Sequence, residues 1–329
     1  MSALAPTLQA FFTQRLMTER AASPATVTAY RDGLRLFVRF ASQSAGCRPS
    51  ELDFTQLDAA VVGAFLDHIE RVRGAGVRTR NARLAAIHSL FRYAALCHPE
   101  HAGSIQRVLA IPQKRCERAL VSFLTRDEAS AILAAPDRSD WVGRRDHALL
   151  VVMVQTGLRV SEATALSCAD LVLGRGAHVR CMGKGRKQRC TPLTPEAVST
   201  LRVWLSERRG DPAEPAFPSR RGTRLSTDAV EYLVAKYASG ASARCPSIGA
   251  KKVTPHVLRH TCAMFMREQG IDLSTIALWL GHESLATVQV YLHADLAIKE
   301  KALAATAPPG TTPGRYRPSD ALMAFLQSL

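Results

Sequence analysis

The sequence lacks several features that define whole classes of protein. None of its eight cysteines belongs to a C-x-x-C pair, and no group of cysteines and histidines has the spacing of a zinc site. No apolar run is long enough for a membrane span. The N-terminus, MSALAPTLQAFFTQRL, lacks the basic start and long apolar run of a signal peptide. These absences argue against zinc-finger, membrane and secreted proteins, and we expect a cytoplasmic protein with reduced thiols.

Acidic residues are also in short supply. The 329 residues include 43 lysines and arginines against 28 aspartates and glutamates, which gives a formal net charge of +15, and the sequence pI is about 9.9. A surface with this charge attracts polyanions, and nucleic acid is the leading candidate. The alternative is a soluble protein that is merely basic. The chain is long enough for two domains, each with its own core.

Residues 1–110 read as helical, with no convincing strand. Apolar residues recur at helical spacing after Ser23 and Pro24, and again over 55–72 and 79–97, which predicts a small helical bundle. Thirteen acid-free residues between the last two helices hold five arginines: Arg71, Arg73, Arg78, Arg80 and Arg83. We favour phosphate contacts over a solvated basic turn here, because a helix N-terminus can also donate backbone N–H groups to a phosphate.

Residues 111–124 read as a basic linker between two domains. Pro112 ends the preceding helix, and Lys114 and Arg115 carry positive charge. A two-domain clamp on DNA needs such a strap, whereas the simpler interpretation is an ordinary exposed connection.

The second half of the chain combines helices with short strands. Thr125 and Glu128 form a capping box, and the run ALLVVMVQT predicts a central buried helix that Gly157 ends. The period of the apolar residues then changes to that of strands. Three short strands are predicted at 170–173, 177–182 and 188–193. Helices follow again, so the second half is expected to be α+β.

Chemically active side chains concentrate between Thr254 and Asp295. His256 and Arg259 stand three residues apart and so share one face of a helix that Thr254 caps. His282 and Tyr291 follow in the same stretch. An arginine fork binds phosphate, a histidine moves protons near neutral pH, and an assisted tyrosine hydroxyl is a nucleophile. Together these residue types suggest phosphoryl transfer through a phosphotyrosine.

Three motifs, TGLRVSE, PHVLRHT and LGHESLATVQVY, resemble those of the tyrosine recombinase (phage integrase) family. The resemblance extends to Xer recombinases and to integrases of mobile elements, and it is strongest over 123–295. It implies a mainly α fold with a small antiparallel β-sheet. The domains it implies are a helical core-binding bundle (1–110), the basic linker (111–124), an α+β catalytic domain (125–305) and a C-terminal tail (306–329).

The resemblance assigns a role to each candidate catalytic residue. Tyr291 would be the nucleophile, and Lys184, in the loop MGKGRK, the general acid; a lysine in a lone G-K-G turn would otherwise be an ordinary turn residue. His256 would assist proton transfer, and Glu162 would orient its neighbours. The groups that would stabilise the phosphate charge are Arg159, Arg259 and His282. Tyr316, in the tail, is a distant second candidate for the nucleophile, and His260 is expected to be structural.

The expected DNA contacts lie in both halves of the chain. In the first half and the linker they are Arg78, Arg80, Arg83, Lys114 and Arg115. Around the loop with Lys184 they are Arg186 and Lys187, with Arg180 and Arg189 on the flanking strands. The partner implied by the resemblance is double-stranded DNA, cut and rejoined without ATP, metal or cofactor.

The resemblance also implies assembly. Two protomers would occupy one DNA site and four would form a synapse, with the apolar end of the tail docking on a neighbouring subunit rather than on its own chain. A mobile-element role in the cytoplasm, at the nucleoid, is favoured over chromosome resolution. Two alternatives stay open: DNA relaxation like that of a type IB topoisomerase, and a DNA-binding factor that no longer cuts.

Overall fold

A computed structural model describes residues 4–116, 121–183 and 188–281, and every structural statement below concerns these ranges. The chain divides into two compact units, Met1–Arg118 and Ala119–Leu329. The division falls inside 111–124, the segment predicted as a linker. Each unit is described on its own.

The first unit is helical throughout its described part, as predicted. A helix over Leu4–Ala10 (α1) continues as a wider π-helical stretch over Phe11–Glu19. The other helices are α2 (Pro24–Ala45), α3 (Ala59–Arg71), α4 (Val77–Cys97) and α5 (Ala102–Leu109). The apolar periodicity predicts the middle three helices and does not resolve α1 or α5.

Side-chain caps explain where these helices begin. Ser23 caps α2 by accepting a hydrogen bond from the backbone N–H of Thr26 at 3.2 Å, with Pro24 in the first turn. The predicted helix over 55–72 is shorter than expected. Asp58 caps α3 through the N–H of Val61, and Phe54–Gln56 forms a separate 3-10 turn. The apolar periodicity did not reveal that a second capping aspartate interrupts the run.

Aromatic rings form much of the core of the first unit. Phe37 and Phe65 lie 5.3 Å apart between ring centroids, and Phe54 meets Phe91 edge-on at 6.0 Å. All four side chains are buried. Edge-on and tilted contacts suit the ring quadrupoles, so the first pair joins α2 to α3 and the second joins the 3-10 turn to α4.

The second unit begins with α6 (Arg126–Leu133), α7 (Trp141–Thr156) and α8 (Val160–Ala165). A three-stranded antiparallel sheet follows in the order β1 (Leu171–Val172), β2 (His178–Met182) and β3 (Gln188–Pro192). The remaining described helices are α9 (Pro195–Arg208), α10 (Thr227–Ala241), α11 (Pro255–Glu268) and α12 (Leu273–Leu280). The predicted strands are confirmed to within one residue at each end.

Helix α7 is the centre of this unit, as its nearly continuous apolar run predicts. Its buried residues include Leu149, Leu150 and Met153, so more than one face of the helix is covered. Such a helix needs neighbours on several sides. Asp140 caps it through the N–H of Gly143, and the left-handed Gly157 ends it. None of the described helices combines the length and apolar character that crossing a bilayer requires.

Candidate active site

The turn between α7 and α8 presents Arg159. Gly157 adopts φ 62°, and a Cβ atom there would lie 2.5 Å from the Leu280 side chain, so a larger residue would clash with α12. Leu158 is buried, and Arg159 follows it as the first residue flanking α8. The motif TGLRVSE therefore places an arginine at a fixed position where two helices meet.

The buried carboxylate of Glu162 holds this turn. It accepts a hydrogen bond from the backbone N–H of Arg159 at 2.8 Å and another from Arg159 Nη1 at 2.8 Å. Arg189 on β3 donates two more, at 3.0 and 2.8 Å. Burial works to raise the pKa of Glu162, but the hydrogen bonds from Arg189 and Arg159 lower it below its usual value, so the carboxylate stays ionised. Glu162 has the orienting role that the sequence predicted. Both terminal nitrogens of Arg189 bond to Glu162, and its phosphate contact stays a prediction, which this pairing does not favour.

Arg259 is the most deeply buried of the predicted catalytic residues that are described. Only 1% of it is exposed. Its Nη1 donates to the Gly157 carbonyl at 2.6 Å and its Nη2 to the Leu280 carbonyl at 2.7 Å. These oxygens lie at the C-terminal ends of α7 and α12, where carbonyls lack helical partners and the helix dipole favours a cation. One guanidinium therefore ties α11 to two other helix ends.

His256 lies one helical turn before Arg259 and reaches solvent. Thr254 caps α11 through the N–H of Val257, with Pro255 in the first turn, as predicted. Partial burial and the positive charges of Arg259 and Arg159 lower the pKa of His256. The imidazole is therefore neutral near pH 7 and able to accept a proton. Its ring meets that of His260 at 4.3 Å, which fits the structural role expected for His260.

A buried ion pair anchors the segment before α11. Lys251 Nζ donates to Glu128 at 2.6 Å and to the Phe123 carbonyl at 2.9 Å. Glu128 is 1% exposed and also accepts from Ser247 at 2.6 Å. These contacts hold the segment with Ser247 and Lys251 against α6. The start of α11 is fixed with it.

Arg159, His256 and Arg259 line one cleft of about 490 Å³. The structure thus brings together three residues separated by up to a hundred positions in sequence. Two further charged residues, Glu231 on α10 and Lys252, line the same cleft and were not singled out from the sequence. Lys252 lies two residues before the cap of α11, and its proximity to the motif PHVLRHT could have identified it as a candidate cleft residue from the sequence. Glu231 offered none, because only the fold brings α10 to the cleft.

Several predicted site residues lie outside the described part of the chain. They are Lys184, Arg186, Lys187, His282 and Tyr291. The flanking elements are described: β2 ends at Met182 and β3 begins at Gln188, and α12 ends at the left-handed Gly281, directly before His282. The tail over 306–329 also lies outside the described residues.

In the first unit, the crowded arginines separate into different environments. Arg78 is exposed. Arg80 is only 7% exposed, and its Nη1 donates to the Pro112 carbonyl at 3.0 Å; its DNA contact stays a prediction, which this burial does not favour. Arg83 is half-buried and donates to the Ala29 carbonyl at 3.2 Å, which fixes α4 to α2. Position along the sequence could not distinguish these three arginines.

The first part of the predicted linker is attached to α4. Asn81 binds both backbone groups of Lys114, at 2.7 and 3.1 Å. Lys114 Nζ pairs with Glu70 at 2.6 Å, while Arg115 is exposed. Residues 112–114 are therefore part of the first unit and are not a free strap.

Comparisons with known proteins agree with this geometry. The model of the phage integrase family matches residues 122–297, and that of the phage integrase N-terminal SAM-like domain matches residues 10–96. A Sinorhizobium fredii protein named as integrase/recombinase y4rC is 55% identical over 329 residues, covering 100% of this chain and 99% of its own length. The tyrosine recombinase XerC of Pelobacter propionicus is 36% identical over 293 residues, covering 87% and 90%.

Solved structures share the fold. The XerH site-specific recombinase in a post-cleavage complex with its difH substrate has a TM-score of 0.67 and 23% identity, covering 87% of this chain and 81% of that one. The Tn1549 transposon integrase in complex with transposon right-end DNA has a TM-score of 0.68 and 14% identity, covering 92% and 99%.

Proposed function

The chain belongs to the phage integrase family of tyrosine recombinases, and from this premise we propose that it cuts and rejoins double-stranded DNA through a 3′-phosphotyrosine on Tyr291. The observation that carries the proposal is the cleft in which Arg159, His256 and Arg259 converge. Two guanidinium groups and a neutral imidazole on rigid helices suit a phosphodiester in line with an attacking hydroxyl.

In the proposed first step, Tyr291 Oη attacks the scissile phosphorus and forms an O–P bond. The bond from phosphorus to the 5′ oxygen breaks, and Lys184 supplies the proton that the leaving 5′ oxygen takes. His256 accepts the tyrosine proton, which its lowered pKa allows near neutral pH. Religation reverses these transfers with a 5′ hydroxyl from another strand, so the phosphodiester energy is kept and no ATP is consumed.

Charge on the nonbridging oxygens is the main demand of this step. Arg159 keeps about a third of its side chain exposed (32%), so it is able to donate to a phosphate. Arg259 is held by the helix-end carbonyls and adds fixed positive charge to the cleft. Preorganised donors of this kind are worth roughly 3–4 kcal/mol each at a transition state. His282 is assigned to the same role by its motif.

DNA binding by both units is proposed on charge. The net charge of +15 suits a polyanion, and Arg78 and Arg115 are exposed arginines of the first unit. We assign Arg186 and Lys187 to the phosphates flanking the cut. The XerH and Tn1549 relatives were solved with DNA, which supports the same partner for this chain. We also propose that two protomers occupy one site, that four form a synapse, and that the tail docks on a neighbouring subunit. The proposed location is the nucleoid, in the cytoplasm.

The test is a covalent trap. Wild-type protein is incubated with nicked duplexes made from the DNA that flanks its own gene and from a degenerate library, and denaturing gels are searched for a protein–DNA band. The band is expected with wild type and with Tyr316→Phe, and absent with Tyr291→Phe. A band that persists in Tyr291→Phe would overturn the nucleophile. DNA binding without any band in wild type would favour a factor that binds and does not cut.

A further inference from the structure

Arg189 makes the more complete side-chain contact with Glu162, the buried carboxylate that organises the cleft. Both of its terminal nitrogens bond to Glu162, Nη1 to Oε1 at 3.0 Å and Nη2 to Oε2 at 2.8 Å. Its side chain is 12% exposed and that of Glu162 is 4% exposed. A two-bond pair of this type, shielded from water, is among the strongest side-chain contacts available to a carboxylate.

Arg159 shares the same carboxylate less completely. Its side chain gives Glu162 one bond, from Nη1 at 2.8 Å, while Nη2 donates a longer hydrogen bond to the Gly281 carbonyl at 3.3 Å. Its side chain is 32% exposed. Glu162 thus has one partner that bonds to it through both terminal nitrogens and one, Arg159, that bonds through a single terminal nitrogen, is more exposed and lines the cleft.

The charge balance depends on this asymmetry. A buried carboxylate needs a counter-charge, and Arg189 supplies it through two bonds. If Arg189 were neutral, Arg159 would be the remaining guanidinium on Glu162, and both of its nitrogens would be drawn to the carboxylate. The hydrogen bonds from Arg189 also do most to hold the pKa of Glu162 below its usual value against the effect of burial.

Arg189 also forms part of the wall beside the last described residue. A Cβ atom on Gly281 would lie 2.8 Å from Arg189 Nη1 and 3.2 Å from its Cδ and Cζ atoms. The Gly281 carbonyl is the one that Arg159 Nη2 approaches. Arg189 therefore contacts both groups that restrain the Arg159 side chain.

We propose that Arg189 is a positioning residue that occupies Glu162 and thereby leaves Arg159 able to bind the scissile phosphate. The proposal rests on the proposed function for its consequence in catalysis. Its structural content, the competition of two arginines for one carboxylate, is independent of DNA and is tested without it.

The first experiment measures the reactivity of Arg159 in the free, full-length protein. Phenylglyoxal modifies exposed guanidinium groups, and peptide mass spectrometry gives the rate at Arg159. In Arg189→Gln we expect this rate to fall severalfold, because Glu162 then binds Arg159 through both nitrogens. In the double variant Arg189→Gln with Glu162→Gln, the competing charge is gone and the rate should return. Arg202→Gln, which removes a surface arginine on α9, is the matched control.

An unchanged Arg159 rate in Arg189→Gln, or no recovery in the double variant, would overturn the proposal. If Arg189 were merely structural, the additional removal of the Glu162 charge would not restore the Arg159 modification rate. If Arg189→Gln folds poorly, Arg189→Lys takes its place, because a lysine keeps a counter-charge and bonds to Glu162 less completely. The Arg159 modification rate in Arg189→Lys should be lower than in wild type and Arg202→Gln, and higher than that of a fully protected Arg159. Full protection of Arg159 in the lysine variant counts against the proposal.

The second experiment uses DNA that wild type cleaves. Arg189→Gln should slow covalent adduct formation by about a hundredfold, the scale of a misplaced catalytic group, while its salt-dependent DNA binding stays at the wild-type level. The double variant should regain part of the rate. A wild-type protein that forms no adduct contradicts the proposed function, whereas the phenylglyoxal result still decides the role of Arg189.

Discussion

One group of arginines in this chain is close together in sequence, and a second is brought together only by the fold. Arg78, Arg80 and Arg83 lie within six residues at the start of α4, yet Arg80 and Arg83 bind backbone carbonyls of their own unit. The cleft gathers Arg159 and Arg259 from motifs a hundred residues apart. Density of positive charge along the sequence therefore does not show which guanidinium groups stay exposed, as those of Arg78 and Arg159 do in part or in full, and which are buried on backbone carbonyls, as those of Arg80 and Arg259 are.

The largest expected effect is the loss of adduct formation when Arg159 is removed, and the change in melting temperature distinguishes Arg159 from Arg259. Arg159→Ala should reduce adduct formation by about 10²- to 10³-fold, the effect of losing one oxyanion donor, with little change in melting temperature because its side chain is partly exposed. Single-turnover cleavage of nicked DNA and thermal melting measure the two quantities. A large loss of Tm in Arg159→Ala would show that its role is mainly structural.

Arg259→Ala should lose both activity and stability. The Gly157 and Leu280 carbonyls would lose this donor, and a buried group left unsatisfied costs about 1–3 kcal/mol. For a domain of this size, each kcal/mol lowers Tm by about 2–4 °C. Thermal melting checks the result, and an unchanged Tm would contradict the tie between α11 and the two helix ends.

The exposed and the buried arginines of the first unit should also differ, one in DNA binding and the other in stability, with smaller effects than in the cleft. Arg78→Ala should weaken DNA binding and reduce the salt slope of log Kd by about one. Arg80→Ala should leave that slope unchanged and lower Tm, since the Pro112 carbonyl would lose its donor. Filter binding over a range of salt concentrations gives the slopes. Equal slopes for the two variants would contradict the distinction between exposed and buried arginine.

The smallest effect concerns the pKa of His256. Burial and the charges of Arg259 and Arg159 lower this pKa, so cleavage should decline only when the pH falls below the ordinary histidine value of about 6.5. Because protonation is opposed by the neighbouring cations, Arg159→Ala should raise the His256 pKa. An NMR titration of the ring in free protein measures it, with Arg202→Ala as the control. A pKa that falls or stays constant in Arg159→Ala would be the contrary result.

The starts and ends of the helices were predictable from the sequence because capping signals are local. Thr254 and Pro255 mark the start of α11, and Gly157 marks the end of α7, through contacts within one helical turn. The strands were found because their apolar period differs from that of helices. Such features need no knowledge of distant residues.

Contacts between distant residues were not predictable in the same way. Arg189 was expected to bind phosphate, since nothing in its motif shows that Glu162 lies beside it. Arg80 was likewise expected to face DNA, although its guanidinium donates a hydrogen bond to the carbonyl of Pro112, 32 residues further along the chain. Glu231 reaches the cleft only through the packing of α10. Each case depends on which elements the fold places together.

The most direct test of the account asks whether Arg159 balances charge on the scissile phosphate. Arg159→Ala and wild type are compared on a duplex that wild type cleaves, with either an ordinary phosphate or a neutral methylphosphonate at the cut. Since the methyl group removes the charge that Arg159 is proposed to stabilise, the variant should cleave the methylphosphonate faster than the phosphate, while wild type should gain little. A variant that is equally slow on both substrates would contradict the assignment of the cleft to the scissile phosphate.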